Sequence, residues 1–381
     1  MLPRIALMLG NFVTGIAIAG VAGMLPDLAR GLAVGIPQAG LLITAGAVVL
    51  CIGSPLTVWA TSRFDRRLLL AASLALVALG HFASALAPGY GAVLALRVVM
   101  MVAAALFTPV AASTVAMLVP PQERPSAIAF VFMGWTLAVA AGLPAIAFLA
   151  AHAGWRATFA AMGVALLASA ALVFQSLPGG LRGAPISVAS WAELRRNRLV
   201  VTLLALTAVQ VSGQFAIFTY LSPLLAALAG ASVAAVGAFF MLFGAMGFVG
   251  NAVTTRLVRR LTPYATSLLA LLSVFLGVTL WSLGAGVLAV MAAGVALWGL
   301  GFASINSMQQ ARLIAAAPAL GGASVALNTS AIYVGQAVGS AVGGFFFARD
   351  LPRAPGYAAM LLVALGLAIL ATTRPGRRRL T

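Results

Sequence analysis

Apolar runs of about twenty residues recur along this chain, each closed by a short break carrying arginine, proline or glycine, and that recurrence limits the fold more than any other feature. A helix needs about 20 predominantly apolar residues to cross the hydrocarbon of a bilayer. The runs predict twelve spans, at 5–27, 38–60, 68–87, 91–118, 126–150, 155–177, 199–228, 232–254, 264–283, 286–311, 322–347 and 356–373. Hydrophobic residues make up 63% of the chain and charged residues 7%, against about 45–50% and about 25% in a soluble domain, so lipid must be the main solvent. The expected class is an all-α membrane protein. The first run is longer than the 7–15 residues of a secretory signal core and reads as a retained helix.

All basic residues are arginines, and the net charge of +17 invites a nucleic-acid reading. The arginines stand in short clusters between apolar runs instead of lining one face, which is the pattern of topology signals. No nucleic-acid partner is expected. With the N-terminus in the cytoplasm, the inner side collects Arg4, Arg63, Arg66, Arg67, Arg124, the group from Arg182 to Arg198, Arg256, Arg259, Arg260, Arg312 and the tail from Arg374 to Arg379. The outer loops keep only Arg30, Arg156, Arg349 and Arg353. Both termini are therefore expected in the cytoplasm of a bacterial inner membrane. Cys51 is the only cysteine, and His81 and His152 are far apart, so neither a disulfide nor a metal motif is expected. Loops of two to ten residues and the lack of a P-loop pattern argue against a nucleotide-driven machine or any other cofactor.

The chain looks duplicated. Arg63-Phe64-Asp65-Arg66-Arg67 follows the second span and Arg256-Leu257-Val258-Arg259-Arg260 the eighth, with the same arginine spacing. Gly134, Ala138 and Gly142 stripe the fifth span, as Gly335, Gly339 and Gly343 stripe the eleventh. Small residues at every fourth position let membrane helices approach closely. Two six-helix bundles follow, 1–177 and 199–381, as repeats related about the membrane normal. They are joined by a cytoplasmic linker at 178–198, in which Ser190-Trp191-Ala192-Glu193 has capping-box spacing for a short surface helix.

Gly23-Met24-Leu25-Pro26-Asp27-Leu28-Ala29, Val119 to Arg124, Gly154-Trp155-Arg156, Phe218 to Pro223, Gln309 to Leu313 and Asn328-Thr329-Ser330 occur in an order and spacing that resemble a known family. It is the twelve-helix drug:proton antiporters of the major facilitator superfamily, in the arabinose-efflux-permease-like branch. The resemblance implies the major facilitator fold and proton-driven efflux of a small organic compound, a drug, sugar or nucleoside, by a single chain. Two departures limit it. The family's loop motif after the second helix has an aspartate and a glycine where this chain has Ser62 and Asp65, so its conformational latch does not carry over. An acid frequent in the first helix is replaced by Ile18.

A charged group inside a spanning helix is a functional hypothesis by default. Arg97 lies about six residues into the fourth span, where the resemblance implies an arginine linked to proton coupling. Asp27 is the nearest carboxylate by depth, and pairing of Asp27 with Arg97 is the expected coupling device; the alternative is that Asp27 only ends the first helix. His81 either titrates in the same process or packs as a hydrogen-bonded core residue. Arg63, Asp65, Arg66, Arg67 and Glu123 form a candidate gating loop or a salt-bridged surface. Asn11 and Thr14, Gln210 and Gln214, Asn306 and Gln310 with Gln309, and Asn328, Tyr333 and Gln336 share helix faces and must find partners in the interior or in water. They either contact substrate or bond helix to helix, with Tyr220 and Trp135 as aromatic walls. The alternative to proton antiport is an uncoupled facilitative exporter, since the usual acid is missing. An intramembrane enzyme would need convergent acids or nucleophiles that five acidic residues do not supply.

Overall fold

The computed structural model describes residues 1–61, 63–120, 123–182, 193–258, 260–317 and 320–374, and among these it is helical, without strands. The first crossing is made by α1 (Leu2–Gly23) and α2 (Leu25–Gly31). The second, third and fourth are α3 (Ile36–Ala60), α4 (Arg66–Ala85) and α5 (Tyr90–Met117). The fifth combines α6 (Arg124–Leu137), a π turn at Ala138–Gly142 and the start of α7 (Leu143–Ser176), and the sixth is the rest of α7. The seventh is α8 (Arg198–Phe218) with α9 (Leu221–Ala229). The eighth to twelfth are α10 (Val233–Leu257), α11 (Pro263–Leu283), α12 (Leu288–Ala316), α13 (Gly321–Phe347) and α14 (Ala354–Thr372).

Length and composition alone give eleven helices able to cross a membrane, one of them the 47-residue stretch Phe130–Ser176. At 1.5 Å per residue a straight helix of that length would run about 70 Å, more than twice the hydrocarbon thickness of about 30 Å. Gly154 resolves this. Its backbone stands at φ 81°, ψ 163°, a region that only glycine enters without strain, and it breaks the stretch into two crossings. The total is twelve.

The first and seventh spans, expected as continuous helices at 5–27 and 199–228, are each broken. Met24 at φ −116°, ψ 19° and Tyr220 at φ −109°, ψ 18° interrupt them at equivalent points. Proline is the cause in both. Pro26 and Pro223 lack the N–H that would bond the carbonyl four residues back, and their rings crowd that carbonyl. Pro55 and Pro109 lie inside α3 and α5, which continue past them.

The glycine stripes pair equivalent helices in the two halves. A Cβ on Gly134 would collide with the Met8 carbonyl of α1, and one on Gly142 would reach the Ile16 side chain. On Gly335, Gly339 and Gly343 it would collide with the Ala208, Ser212 and Ala216 carbonyls of α8. The fifth span thus lies on the first as the eleventh lies on the seventh, which is the two-bundle pseudo-symmetry of the fold.

One buried cluster spans both bundles, with Leu25, Leu28, Ile43 and Leu143 from one half and Tyr220, Leu221, Leu224 and Phe240 from the other, and it continues through the second half to Leu370 near the end of the last helix. Toward the termini, Leu7, Leu50, Leu70 and Val110 belong to one separate cluster, and Val200, Leu203 and Leu313 to another. In the linker, residues 193–196 are helical; Ser190 and Trp191 lie outside the described residues, as do Arg259, Arg377, Arg378 and Arg379.

Candidate functional site

A cavity lies between the bundles at mid-depth. Ile18, Ala19, Trp135 and Val139 line it from the first half, and Gln214, Phe215, Phe218, Phe243, Trp298, Phe302 and Gln336 from the second. The space open to the centre of a water molecule is only ≈ 20 Å³, room for about one water, so admitting a compound requires the bundles to separate. Its wall is aromatic. Phe218 and Phe243 have ring centroids 5.1 Å apart, and Trp298 meets both edge-on, at 6.1 and 5.0 Å. Three polar groups punctuate it: Trp298 Nε1 donates to Gln214 Oε1 at 2.7 Å, Gln214 in turn donates to Gln210 Oε1, and Gln336 is 4% exposed. No charged side chain lines this cavity.

Of the amides and hydroxyls expected at a binding surface, Gln214 and Gln336 reach the cavity and the others do not. Asn11 donates to the Val131 carbonyl at 3.0 Å and accepts from Thr108 at 2.7 Å, tying the first, fourth and fifth spans. Thr14 bonds the Gly10 carbonyl of its own helix. Asn328 accepts from Thr207 at 2.8 Å, and Gln309 donates to Leu203 and Thr207. Asn306 donates within α12 to Phe302, and Gln310 is half-buried on the same helix without lining the cavity. Tyr333 packs against the first bundle's core. Tyr220, expected as an aromatic wall, instead donates to the Ser340 carbonyl and stacks on Phe347. Lipid offers these groups no alternative partner, so they bond to a neighbouring helix, as Asn11, Asn328, Gln309 and Tyr220 do, or to a carbonyl of their own helix, as Thr14 and Asn306 do. Trp135 lines the cavity as expected. Sequence reasoning missed Phe215, Phe218, Phe243, Trp298 and Phe302, although the i, i+3 spacing of the first pair and the i, i+4 spacing of the last put each pair on one face.

The expected contact between Asp27 and Arg97 is not formed. Asp27 pairs with Arg30 at 2.5 Å, the arginine side chain being 78% exposed. Arg97 is 2% exposed and donates to the carbonyls of Ala17 and Ile18 at 2.6 Å each and of Leu42 at 3.3 Å. The break at Met24 turns Asp27 into the first turn of α2, where its charge favours the helix N-terminus. His81 is buried, bonded through Nδ1 to Val77 O at 2.8 Å and edge-on to Phe159.

Glu123 and Asp65, among the candidate gating residues, tie elements of the first bundle to one another and, at Asp65, to the linker. Glu123 pairs with Arg4 at 2.6 Å. Asp65 caps α4 through the N–H groups of Arg67 and Leu68 and accepts from Gly180 N at 2.5 Å. Arg63 is exposed, Arg66 is buried, and Arg67 lies over the Phe174 ring at 4.0 Å. Desolvation, the largest single influence, raises the Asp65 pKa, but the three N–H bonds and the Arg67 charge together outweigh it and hold the carboxyl below the usual carboxylate range. A depressed carboxylate stabilises above its unfolded pKa and loses that contribution as pH falls through the folded value. Asp65→Ala is therefore expected to cost about 1 kcal/mol near neutral pH. Thermal unfolding in detergent should show that difference shrinking below about pH 4.

The family model of the Major Facilitator Superfamily matches residues 7–340. The chain belongs to the Major Facilitator Superfamily. Within it, the chain is similar to the inner membrane transport protein YdhP of Escherichia coli (strain K12), 31% identical over 386 aligned positions that cover 99% of this chain and 96% of that protein. It is 34% identical to a chloramphenicol resistance protein of Streptomyces lividans over 242 positions, 62% of each chain. Among solved structures, a D-xylose-proton symporter matches with a TM-score of 0.76 at 15% identity, covering 98% of this chain and 97% of that one. A POT family transporter in complex with 5-aminolevulinic acid matches with a TM-score of 0.80 at 11% identity, covering 97% and 94%. At these identities the two structures bear on the superfamily fold alone.

Proposed function

We propose that this chain exports a small, uncharged, aromatic or amphiphilic organic compound by alternating access, driven by inward proton flow. The observation that carries the reading is the cavity: both bundles contribute to it, aromatic rings dominate it, and Gln214, Trp298 and Gln336 are its polar groups. An uncharged cavity of this kind favours ligands that fill apolar area and satisfy a few fixed hydrogen bonds. The chloramphenicol resistance protein among the relatives supports an organic compound as cargo. Two bundles, 1–177 and 199–381, rocking about that cavity with 178–198 as their linker would expose it to each face in turn. The arginine excess on the face of the termini supports an inner-membrane orientation with both ends cytoplasmic. The chain works as a monomer.

A second reading, facilitated export without protons, has its own support. Ile18 stands where the resemblance calls for an acid, Asp27 is engaged by Arg30, and Arg97 bonds only carbonyls. Proteoliposomes carrying the full chain, given radiolabelled chloramphenicol and an imposed pH gradient, separate the two. Antiport gives accumulation against the concentration gradient that a protonophore abolishes. Equilibration indifferent to the gradient selects the facilitator. No flux of this compound or of a panel of neutral aromatic compounds would sink both.

A further inference from the structure

We propose that the groove between the third and sixth spans binds an anionic phospholipid of the surrounding leaflet, with an acyl chain along the groove and the phosphate at Arg67 and Arg66. The groove runs between α4 and the last turns of α7, where Ala71, Ala72, Ala75, Ala170 and Ala171 leave space that larger side chains would fill. The groove holds ≈ 400 Å³ of space open to the centre of a water molecule. It opens sideways toward lipid, so in a bilayer an acyl chain is its natural filling.

The rim decides which lipid. Phe174 lines the groove and carries the Arg67 guanidinium on its face at 4.0 Å. Arg66 is only 5% exposed, yet its Nε and Nη1 have no hydrogen-bond partner among the described residues, and neither has Arg67 Nε. Buried guanidinium N–H groups without a partner are costly; they are closed off as the side chains now stand, and a turn of either guanidinium toward the groove mouth would let a phosphate oxygen accept from its planar fork. Arg66 N donates to Leu181 O at 2.8 Å, and Arg182 and Arg63, both exposed, are close to these residues along the chain. Asp65, the one acid here, spends its oxygens on backbone N–H groups of Arg67, Leu68 and Gly180. Four arginines against one aspartate leave the rim strongly cationic, complementary to an anionic headgroup and not to a zwitterionic one.

The proposal rests on membrane embedding alone and stands or falls separately from the transport reading. Native mass spectrometry of the detergent-purified full chain would compare phosphatidylglycerol, phosphatidylcholine of the same acyl chains, and glycerol phosphate, which has the headgroup chemistry without tails. The expected result is at least tenfold preferential retention of phosphatidylglycerol over phosphatidylcholine, and none of glycerol phosphate. Arg67→Gln should erase the preference, and Ala72→Phe, an exposed position on the groove wall, should lower retention of both lipids. Both variants should unfold within a few degrees of the wild type. Equal retention of the two lipids by the wild type, retention of glycerol phosphate matching that of phosphatidylglycerol, or undiminished phosphatidylglycerol binding in both variants would each overturn it.

Discussion

An Arg97→Leu variant is expected to fold and melt close to the wild type, yet to transport at least tenfold more slowly. An arginine at the centre of a spanning helix costs about 2.5–3.5 kcal/mol on the insertion scale, which is an upper bound for Arg97, since it lies nearer the start of α5 than its middle. Its hydrogen bonds to Ala17, Ile18 and Leu42 offset part of this, since hydrogen bonds between membrane helices average about 0.6 and reach at most about 1.7 kcal/mol each. The three carbonyls lie inside α1 and α3, where each accepts from the residue four positions ahead, so leucine orphans none of them. The opposing terms nearly cancel, and the expected change in stability stays within about 2 kcal/mol. Stability therefore gives no reason for a cation here. What the guanidinium does is tie α5 to the backbones of α1 and α3 beside Ile18, which lines the cavity. Arg97→Lys keeps the charge but not the fork and should fall between. Detergent melting curves and proteoliposome flux check this together. A large drop in melting temperature would make Arg97 a structural clamp, and undiminished flux would remove it from the mechanism.

The spans were legible because lipid imposes one requirement, apolar length, and the chain meets it with few charges. The duplication was legible because the glycine stripes and the arginine triplets follow from close packing and topology, both of which act at fixed spacing. The cavity was only half legible. Polarity was the cue used, but in a membrane interior polarity first serves helix pairing, as Asn11, Thr207 and Asn328 demonstrate. The cavity wall is mostly aromatic, and a phenylalanine lining a cavity has the same spacing as one packed in a core. Asp27 and Arg97 stand apart in this arrangement for a different reason. Depth along a helix was counted as though the first span were straight, whereas the proline break at Met24 redirects Asp27 toward Arg30.

Gly134→Leu and Gly339→Leu are expected to abolish folded protein, and by the same mechanism in each bundle. At Gly134 a Cβ runs into the Met8 carbonyl and comes within 2.8 Å of the Phe12 nitrogen; at Gly339 it runs into the Ser212 carbonyl and comes within 2.9 Å of the Ala216 nitrogen. These obstacles are backbone atoms within α1 and α8, so no rotamer change makes room. The helices must part, and overpacking by even a methyl group costs about 1–3 kcal/mol. Parting also loses the dispersion contacts that hold membrane helices together where no hydrophobic drive exists. Gly→Ala at either site should therefore lower the melting temperature clearly, and leucine should leave little monodisperse protein. Gly91 supplies the control. It lies in the first turn of α5 with nothing within 4 Å of its Cβ, and Gly91→Ala should be neutral or stabilising by roughly 0.5–1 kcal/mol through helix propensity. Fluorescence-detected gel filtration and melting of the five variants measure it. Equal damage at Gly91 and Gly339 would mean that glycine content as such, and not the repeated crossing of the first with the fifth and the seventh with the eleventh span, holds the two bundles in shape.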